Sequence, residues 1–168
     1  MAPPRPVPDK DNLVRHVRST LVAKDPDTNE PVGFTPQAFE LREGEDYLSA
    51  AWPQFFPGSL RQSLAATMLD IAEAVEIKPK DCFAQGLVGE IRAVCNDHRV
   101  QVRIVHDGIG YPSHAAVRRY DNNTPELRER LAREAWAELI RPSQSVVQAS
   151  KRSKAKRSLA KQLGEPDL

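Results

Sequence analysis

Apolar residues recur at two periods along the chain, and the switches between those periods mark its elements. In "GSLRQSLAATMLDIAEAVEIKP", Leu60, Leu64, Met68, Ile71, Ala72 and Val75 fall at steps of three and four, which places them on one stripe of a helix. Ser59 stands as a cap after Gly58 and Pro79 stops the run, so a helix is predicted over about 59–77. "TPELRERLAREAWAELI" repeats the pattern through Leu127, Leu131, Ala135 and Leu139. Thr124 is its cap, Pro125 takes the first helical position, Glu126 meets the positive end of the dipole, and Pro142 closes a second helix over about 124–140. Other runs are β-branched and partly alternating. "CFAQGLVGEIRAVCN" and "RVQVRIVHD" read as two strands turning through "NDHR", and "SHAAVRRY" reads as a third. "NLVRHVRSTLVAK" fits both periods: Leu13, Val17 and Leu21 have helical spacing, but the β-branched content and the turn "DPDTNEPVG" behind it favour a strand.

Strands that meander between helices imply an α+β domain, with an antiparallel sheet packed against the two main helices. That single domain is expected over residues 11–142. Residues 1–10, with four prolines in the first eight, are expected to form a flexible arm, and residues 143–168 a basic, disordered tail.

Between the first strand and the first helix, "FTPQAFELREGEDYLSAAWPQFFPG" gathers four of the five phenylalanines together with Trp52. Each aromatic side chain can bury about 150–250 Å², so the segment belongs to a core or to a binding surface, and the usual burial ranking favours the core.

Charge adds an asymmetry that the net value of +1 conceals. From Leu139 onward seven basic residues face two acidic ones, while the preceding chain is mildly acidic. "SKRSKAKRSLAK" concentrates Lys151, Arg152, Lys154, Lys156, Arg157 and Lys161 without an acid among them. Such a run can contact nucleic acid or an acidic partner by releasing counterions; lacking an aromatic residue for stacking, its nucleic-acid contact should be weak and indifferent to sequence. No stretch approaches the roughly 20 apolar residues of a membrane helix, and the polar, proline-rich opening does not resemble a secretory leader. A cytoplasmic location is expected, and two cysteines, Cys82 and Cys95, agree with a reducing compartment.

Candidate chemistry centres on "IVHDGIGYPSHAAVRRY", where His106 and His114 flank a loop of turn-forming residues, Asp107, Gly108, Gly110 and Pro112. A hairpin would set the imidazoles across its mouth. Pairing Ile104 with Val117, or with Ala116, decides whether they share a face, because a one-residue slip reverses every side chain. Cys95 and His98 have a zinc-compatible gap but no second ligand pair, and the cysteines read more simply as small apolar residues on strands; neither metal nor cofactor is expected. The glycines match no phosphate-binding loop, and no G-x-S-x-G elbow is present. Arg15, Ser49 and Glu90 could take the arginine, serine and acid roles of ADP-ribosyl-transferring folds, although Ala50 and Ala51 replace the rest of the usual serine-threonine-serine triplet.

The segments "LVRHV", "AFELREGEDYLSAAWPQFF" and "YPSHAAVRRY" together resemble a group of small, uncharacterised bacterial cytoplasmic proteins with an early Arg-His, a Leu-Ser followed by Trp, and a late Ser-His. The resemblance spans roughly residues 13–120 and brings no activity with it. It nominates Arg15, His16, Ser49, Trp52, Ser113 and His114 as one surface. Two functions are therefore expected in competition. The first is an accessory or regulatory protein that binds a partner, such as the product of a neighbouring gene, through Trp52 and the aromatic segment or through the basic tail. The second is an enzyme acting on a nucleotide or other phosphate-bearing substrate with His114, Arg15, His16 and Ser49. A polar hollow uniting Arg15, Ser49 and His114 would favour the enzyme.

Overall fold

The computed structural model describes residues 3–121 and 124–164, and strands account for only part of the β-branched runs. They are β1 (Arg5–Pro6), β2 (Asn12–Val17), β3 (Val22–Lys24), β4 (Pro31–Phe34), β5 (Tyr47–Ala51), β6 (Cys82–Leu87), β7 (Arg103–His106), β8 (His114–Arg118) and β9 (Glu138–Ile140). The helices are α1 (Leu60–Ala74), α2 (Val88–Asp97), α3 (Pro125–Arg130) and α4 (Gln144–Gln162). Seven strands form one sheet in the order β1-β7-β8-β5-β2-β6-β9, and β3 and β4 make a separate hairpin. Every pairing is antiparallel, so the fold is α+β as expected. Among the described residues, no helix is long and apolar enough to cross a membrane.

Strand alternation sends side chains to two cores. Leu13, Val17, Leu48, Ala84, Ile104 and Val117 face the larger one, which α2, α3 with the turn that follows it, and the β3–β4 hairpin cover with Ile91, Val94, Leu127, Leu131 and Phe34. Val14, Ala51 and Phe83 face the smaller one under Met68, Ile71 and Ala72 of α1 and Val146 and Ala149 of α4. Of the stripe read from the sequence, Met68, Ile71 and Ala72 lie on the buried face of α1 beside Ser63 and Thr67, whereas Leu60 is exposed and Val75 caps the end of the helix. Its start is fixed by a capping box: the Ser59 hydroxyl accepts from the Gln62 amide while the Gln62 side chain accepts from the Ser59 amide.

Four expectations need correction. The run from Cys82 is not one long strand: β6 passes directly into α2, whose Val88, Ile91, Val94 and Cys95 are buried at helical spacing. Cys95 therefore lies on a helix, while Cys82 lies on a strand as expected. The second main helix ends early. α3 widens into a π turn over Leu131–Ala135, and the residues expected as its last turn leave it as β9, pairing Leu139 with Ala84. Gly86 permits this approach, because a Cβ there would run into the Ala135 carbonyl oxygen.

The proline-rich arm is docked rather than loose. Arg5 pairs with His106, the Val7 amide donates to the Ile104 carbonyl at 3.1 Å, and Val7 is buried. Most of the tail is a helix as well. Ser143 caps α4, and Val146, Val147, Ala149, Ser150 and Ser153 are buried along its inner side. Ser150 Oγ accepts from the Ile77 amide at 2.7 Å and donates to the Val75 carbonyl at 3.0 Å. A narrow stripe of small residues suffices to hold a helix that is otherwise cationic. Residues 165–168 of the expected tail lie outside the described residues.

One discontinuity in the sheet positions the site. β2 pairs with β6 at six positions and β5 with β8 at five, but β2 and β5 meet only at Val14↔Ala51. Beyond that point the strands part, and Arg15 fills the gap. Its Nε donates to the Ala38 carbonyl at 3.0 Å, and its guanidinium donates to the Ser49 carbonyl at 2.6 Å.

Candidate functional site

The β7–β8 register pairs Ile104 with Val117 and His106 with Ala115. Residues directly opposite share a face, so His106 points away from His114. His106 stacks on Phe55 with ring centroids 5.0 Å apart and donates from Nε2 to the Pro112 carbonyl at 2.8 Å. It closes the loop rather than entering a joint site.

His114 instead meets residues of β5 and β7. It lies opposite Ala51, while Ser49 lies opposite Ala116, so His114 and Ser49 are diagonal neighbours on one face. A diagonal separation of about 7–8 Å is within reach of long or aromatic side chains, and Ser49 Oγ and His114 Nε2 are 2.9 Å apart. Asp107 follows the end of β7, and its Oδ1 lies 2.5 Å from His114 Nδ1. Asp107 Oδ1 also accepts from the Ile109 amide at 3.1 Å, and Oδ2 from Arg118 at 3.2 Å. Burial alone would raise the Asp107 carboxyl, but the hydrogen bonds from His114, Ile109 and Arg118 together hold it below the ordinary carboxylate value. An ionised Asp107 takes the Nδ1–H of His114. The Nε2 lone pair then faces Ser49, whose hydroxyl donates to it.

This line is held on all sides. The rings of Tyr111 and Tyr47 stand edge-on to the imidazole at 5.2 and 5.9 Å. The Tyr111 hydroxyl donates to the Ala50 carbonyl at 3.1 Å and lies within hydrogen-bonding reach of Ser49; burial raises its pKa and keeps it neutral. Ser113 is fully buried, and both its amide (2.8 Å) and its hydroxyl (2.5 Å) donate to Asp70 of α1. Its carbonyl accepts from the Trp52 amide at 2.8 Å, and the Trp52 indole donates to Asp11 at 2.9 Å. Ser113 and Trp52 therefore buttress the histidine loop. The loop also needs left-handed backbone at Gly108 (φ 64°) and Gly110 (φ 87°), which glycine supplies without strain.

Ser49 opens onto a cavity of about 280 Å³ at the β2/β5 gap, shared with Arg15, Arg18, Arg42, Glu45 and Glu76. Burial, and then the nearby charge of Arg42, lower the Arg15 pKa, yet a guanidinium stays protonated in proteins. The hydrogen bonds of Arg15 run to main-chain carbonyls. Among the described residues, neither Arg15, Arg18 nor Arg42 forms an ion pair with a carboxylate. Positive charge that lacks a carboxylate partner in a concave, partly dry setting attracts an anion.

His16 lines the edge of the same cavity, but its Nε2 donates to Asp81 Oδ2 at 2.9 Å. The Ser19 and Lys78 amides also donate to Asp81, each at 2.9 Å. Burial lowers the His16 pKa below its ordinary 6.5, outweighing the hydrogen bond to Asp81. Burial alone would raise Asp81, but its three hydrogen bonds hold it below the ordinary value. Both shifts have the same consequence in acid. Below about pH 6.5 the unfolded chain binds a proton that folded His16 resists, and at lower pH Asp81 must also be protonated, so stability falls with pH in both windows. The thermal midpoint is expected to drop from pH 7 to pH 5, and His16→Gln to flatten that drop. Melting curves with the same pH slope in both proteins would show that His16 is not its source.

Other nominated residues fall elsewhere. Lys151, Arg152 and Lys156 are exposed on α4. Lys154 pairs with Glu76 at 2.9 Å, and Arg157 donates to the Glu73 carbonyl. Glu90 sits in the first turn of α2, on the far side of the sheet, and does not line the cavity. Cys82 and Cys95 are buried, and burial pushes the Cys95 thiol up to about 12. Sequence reasoning missed Asp107, Tyr111, Arg18 and Arg42 as site residues. Asp107 and Tyr111 were visible only as members of a turn-rich loop, and the two arginines only as surface charge.

The chain matches no protein-family model, no curated protein and no solved structure.

Proposed function

We propose that the protein is an enzyme that attacks an ester of a phosphate-bearing substrate, with Ser49 as nucleophile. The observation that carries this reading is the hydrogen-bonded line Asp107–His114–Ser49 ending at a cavity whose arginines lack carboxylate partners. As Ser49 Oγ bonds to the electrophilic centre of the ester, its proton passes to His114 Nε2. Asp107 stabilises the imidazolium that forms, and His114 then returns the proton to the departing alkoxide oxygen. Water, deprotonated by the same imidazole, cleaves the Ser49 ester and restores the hydroxyl. Arg15 and Arg42 lie where they can stabilise negative charge that develops during attack. The arrangement obeys the logic of a serine-histidine-aspartate triad on sheet positions that no local motif announces.

Geometry gives less support to partner binding through the aromatic segment. Phe34 and Phe39 are buried in the larger core, and Trp52 is partly buried against it, leaving Phe55 as its exposed large aromatic. The ADP-ribosyl-transfer assignment loses its acid, because Glu90 lies outside the cavity.

A fluorophosphonate probe tests the reading directly. We expect one covalent adduct, located on Ser49 by peptide mass spectrometry, and none on Ser49→Ala. Equal labelling of the two proteins, or no labelling of folded protein over hours, would overturn the assignment of the nucleophile.

A further inference from the structure

The Ser49 cavity adjoins others. Arg18 and Glu76 line both it and a second hollow of about 380 Å³ that includes Ser19, Thr20 and Lys78. Asp81 lines that second hollow and a third of about 250 Å³, bordered by Lys24, Lys80 and Arg141. Shared lining residues set the three hollows next to one another in series, as a segmented groove.

The charges along this groove are unevenly engaged. Its carboxylates have partners: Glu76 pairs with Lys154, Asp81 with His16 and Glu30 with Arg141, while Glu45 accepts from the Arg42 amide at 3.0 Å. Among the described residues, Arg15, Arg18, Arg42, Lys78, Lys80 and Lys24 form no ion pair. Glu76 and Glu30 are thus neutralised by cations, Asp81 and Glu45 keep their charge, and a row of six cations is left over against those two carboxylates. At Glu76 the row meets α4, whose Lys151, Arg152 and Lys156 are exposed.

We infer that this groove binds single-stranded nucleic acid, with one nucleotide's ester delivered to Ser49 at its deep end. The inference rests on the Ser49 reading for what happens at that end, and on the groove alone for binding. A single phosphate is held best by cations that converge on one point; here they are strung through three adjoining hollows, as phosphates are along a polynucleotide. A duplex is too stiff and wide to bring its backbone to a half-buried serine in a cavity at the small end of the ligand-pocket range. A single strand can bend in. The lining offers Tyr111 and His16 but no exposed tryptophan or phenylalanine, so stacking contributes little and phosphate contacts dominate.

Binding is measured on full-length Ser49→Ala, which cannot form the covalent adduct, by fluorescence anisotropy of short labelled oligouridylate and oligothymidylate. We expect both to bind, a mononucleotide to bind far more weakly, and affinity to fall about tenfold or more as salt rises fourfold, which corresponds to about three phosphate contacts. Lys78→Glu combined with Lys80→Glu should weaken binding about tenfold or more. Arg133→Glu, beyond the groove on the π turn after α3, should leave it unchanged. Equal loss in both variants, or a mononucleotide as tight as the oligomer, would overturn the groove, as would a carboxylate polyanion such as polyglutamate binding equally well. Labelling of Ser49 without oligomer binding defeats only this inference, and oligomer binding without labelling defeats only the nucleophile.

Discussion

Replacing Asp107 by asparagine is expected to slow fluorophosphonate labelling of Ser49 by roughly four orders of magnitude, the scale of loss seen when the orienting carboxylate of such a triad becomes an amide. The effect should arise from a proton in the wrong place. Ionised Asp107 accepts from His114 Nδ1 and so leaves Nε2 bare toward Ser49. An asparagine amide can donate to Nδ1 instead, which moves the ring proton to Nε2 and removes the base. The side chain of residue 107 is 2 % exposed, so water cannot take over the orienting role. The variant keeps its volume, and circular dichroism should be unchanged. A labelling rate within tenfold of the parent, in a folded variant, would mean that Asp107 is a structural anchor for Arg118 and the loop, and that His114 does not act as a base.

The second large effect concerns stability. Trp136→Ala should cost about 3–5 kcal/mol, the usual range for deleting a fully buried large aromatic ring, out of a total that for a domain this size is about 5–15 kcal/mol. Trp136 has no exposed surface and stacks on Phe39 at 5.6 Å, which ties the π turn after α3 to the aromatic segment. Its indole nitrogen is buried without a hydrogen-bond partner among the described residues. Trp136→Phe should therefore be much milder, because it removes an N–H whose desolvation nothing offsets while keeping most of the ring. Urea unfolding separates the cases. A loss below about 1 kcal/mol for the alanine variant would show that the neighbouring side chains refill the space.

These two residues also mark what the sequence made legible. α1 was readable because apolar residues at helical spacing, a capping serine and a terminal proline agree, although the helix ends at Ala74 and Leu60 is exposed. α2 carried helical spacing at Val88, Ile91 and Cys95, but β-branched residues and Gly89 disguised it, and no capping side chain separates it from β6. α4 was hidden for the opposite reason: its helical stability comes from packing on α1, and its polar surface dominates any composition-based reading. At the site, Arg15, Ser49 and His114 were nominated from separate elements and are brought together. Asp107 was read as a turn former because its role depends on register, which one strand's sequence does not specify. His106 was nominated for its proximity in sequence to His114, and the pairing of Ile104 with Val117 sends it to the other face.

Strand order has a further consequence for how the chain reaches this state. β2 must wait for β6, Ala84 for Leu139, and Arg5 for His106, about one hundred residues later; only the β3–β4 and β7–β8 hairpins join neighbours in the chain. Such high contact order places assembly toward the slow end for small domains. On a ribosome, β2 would find both its neighbours only once β6 had emerged, and the central strand β5 would keep one open edge until β8, ending at Arg118, followed it.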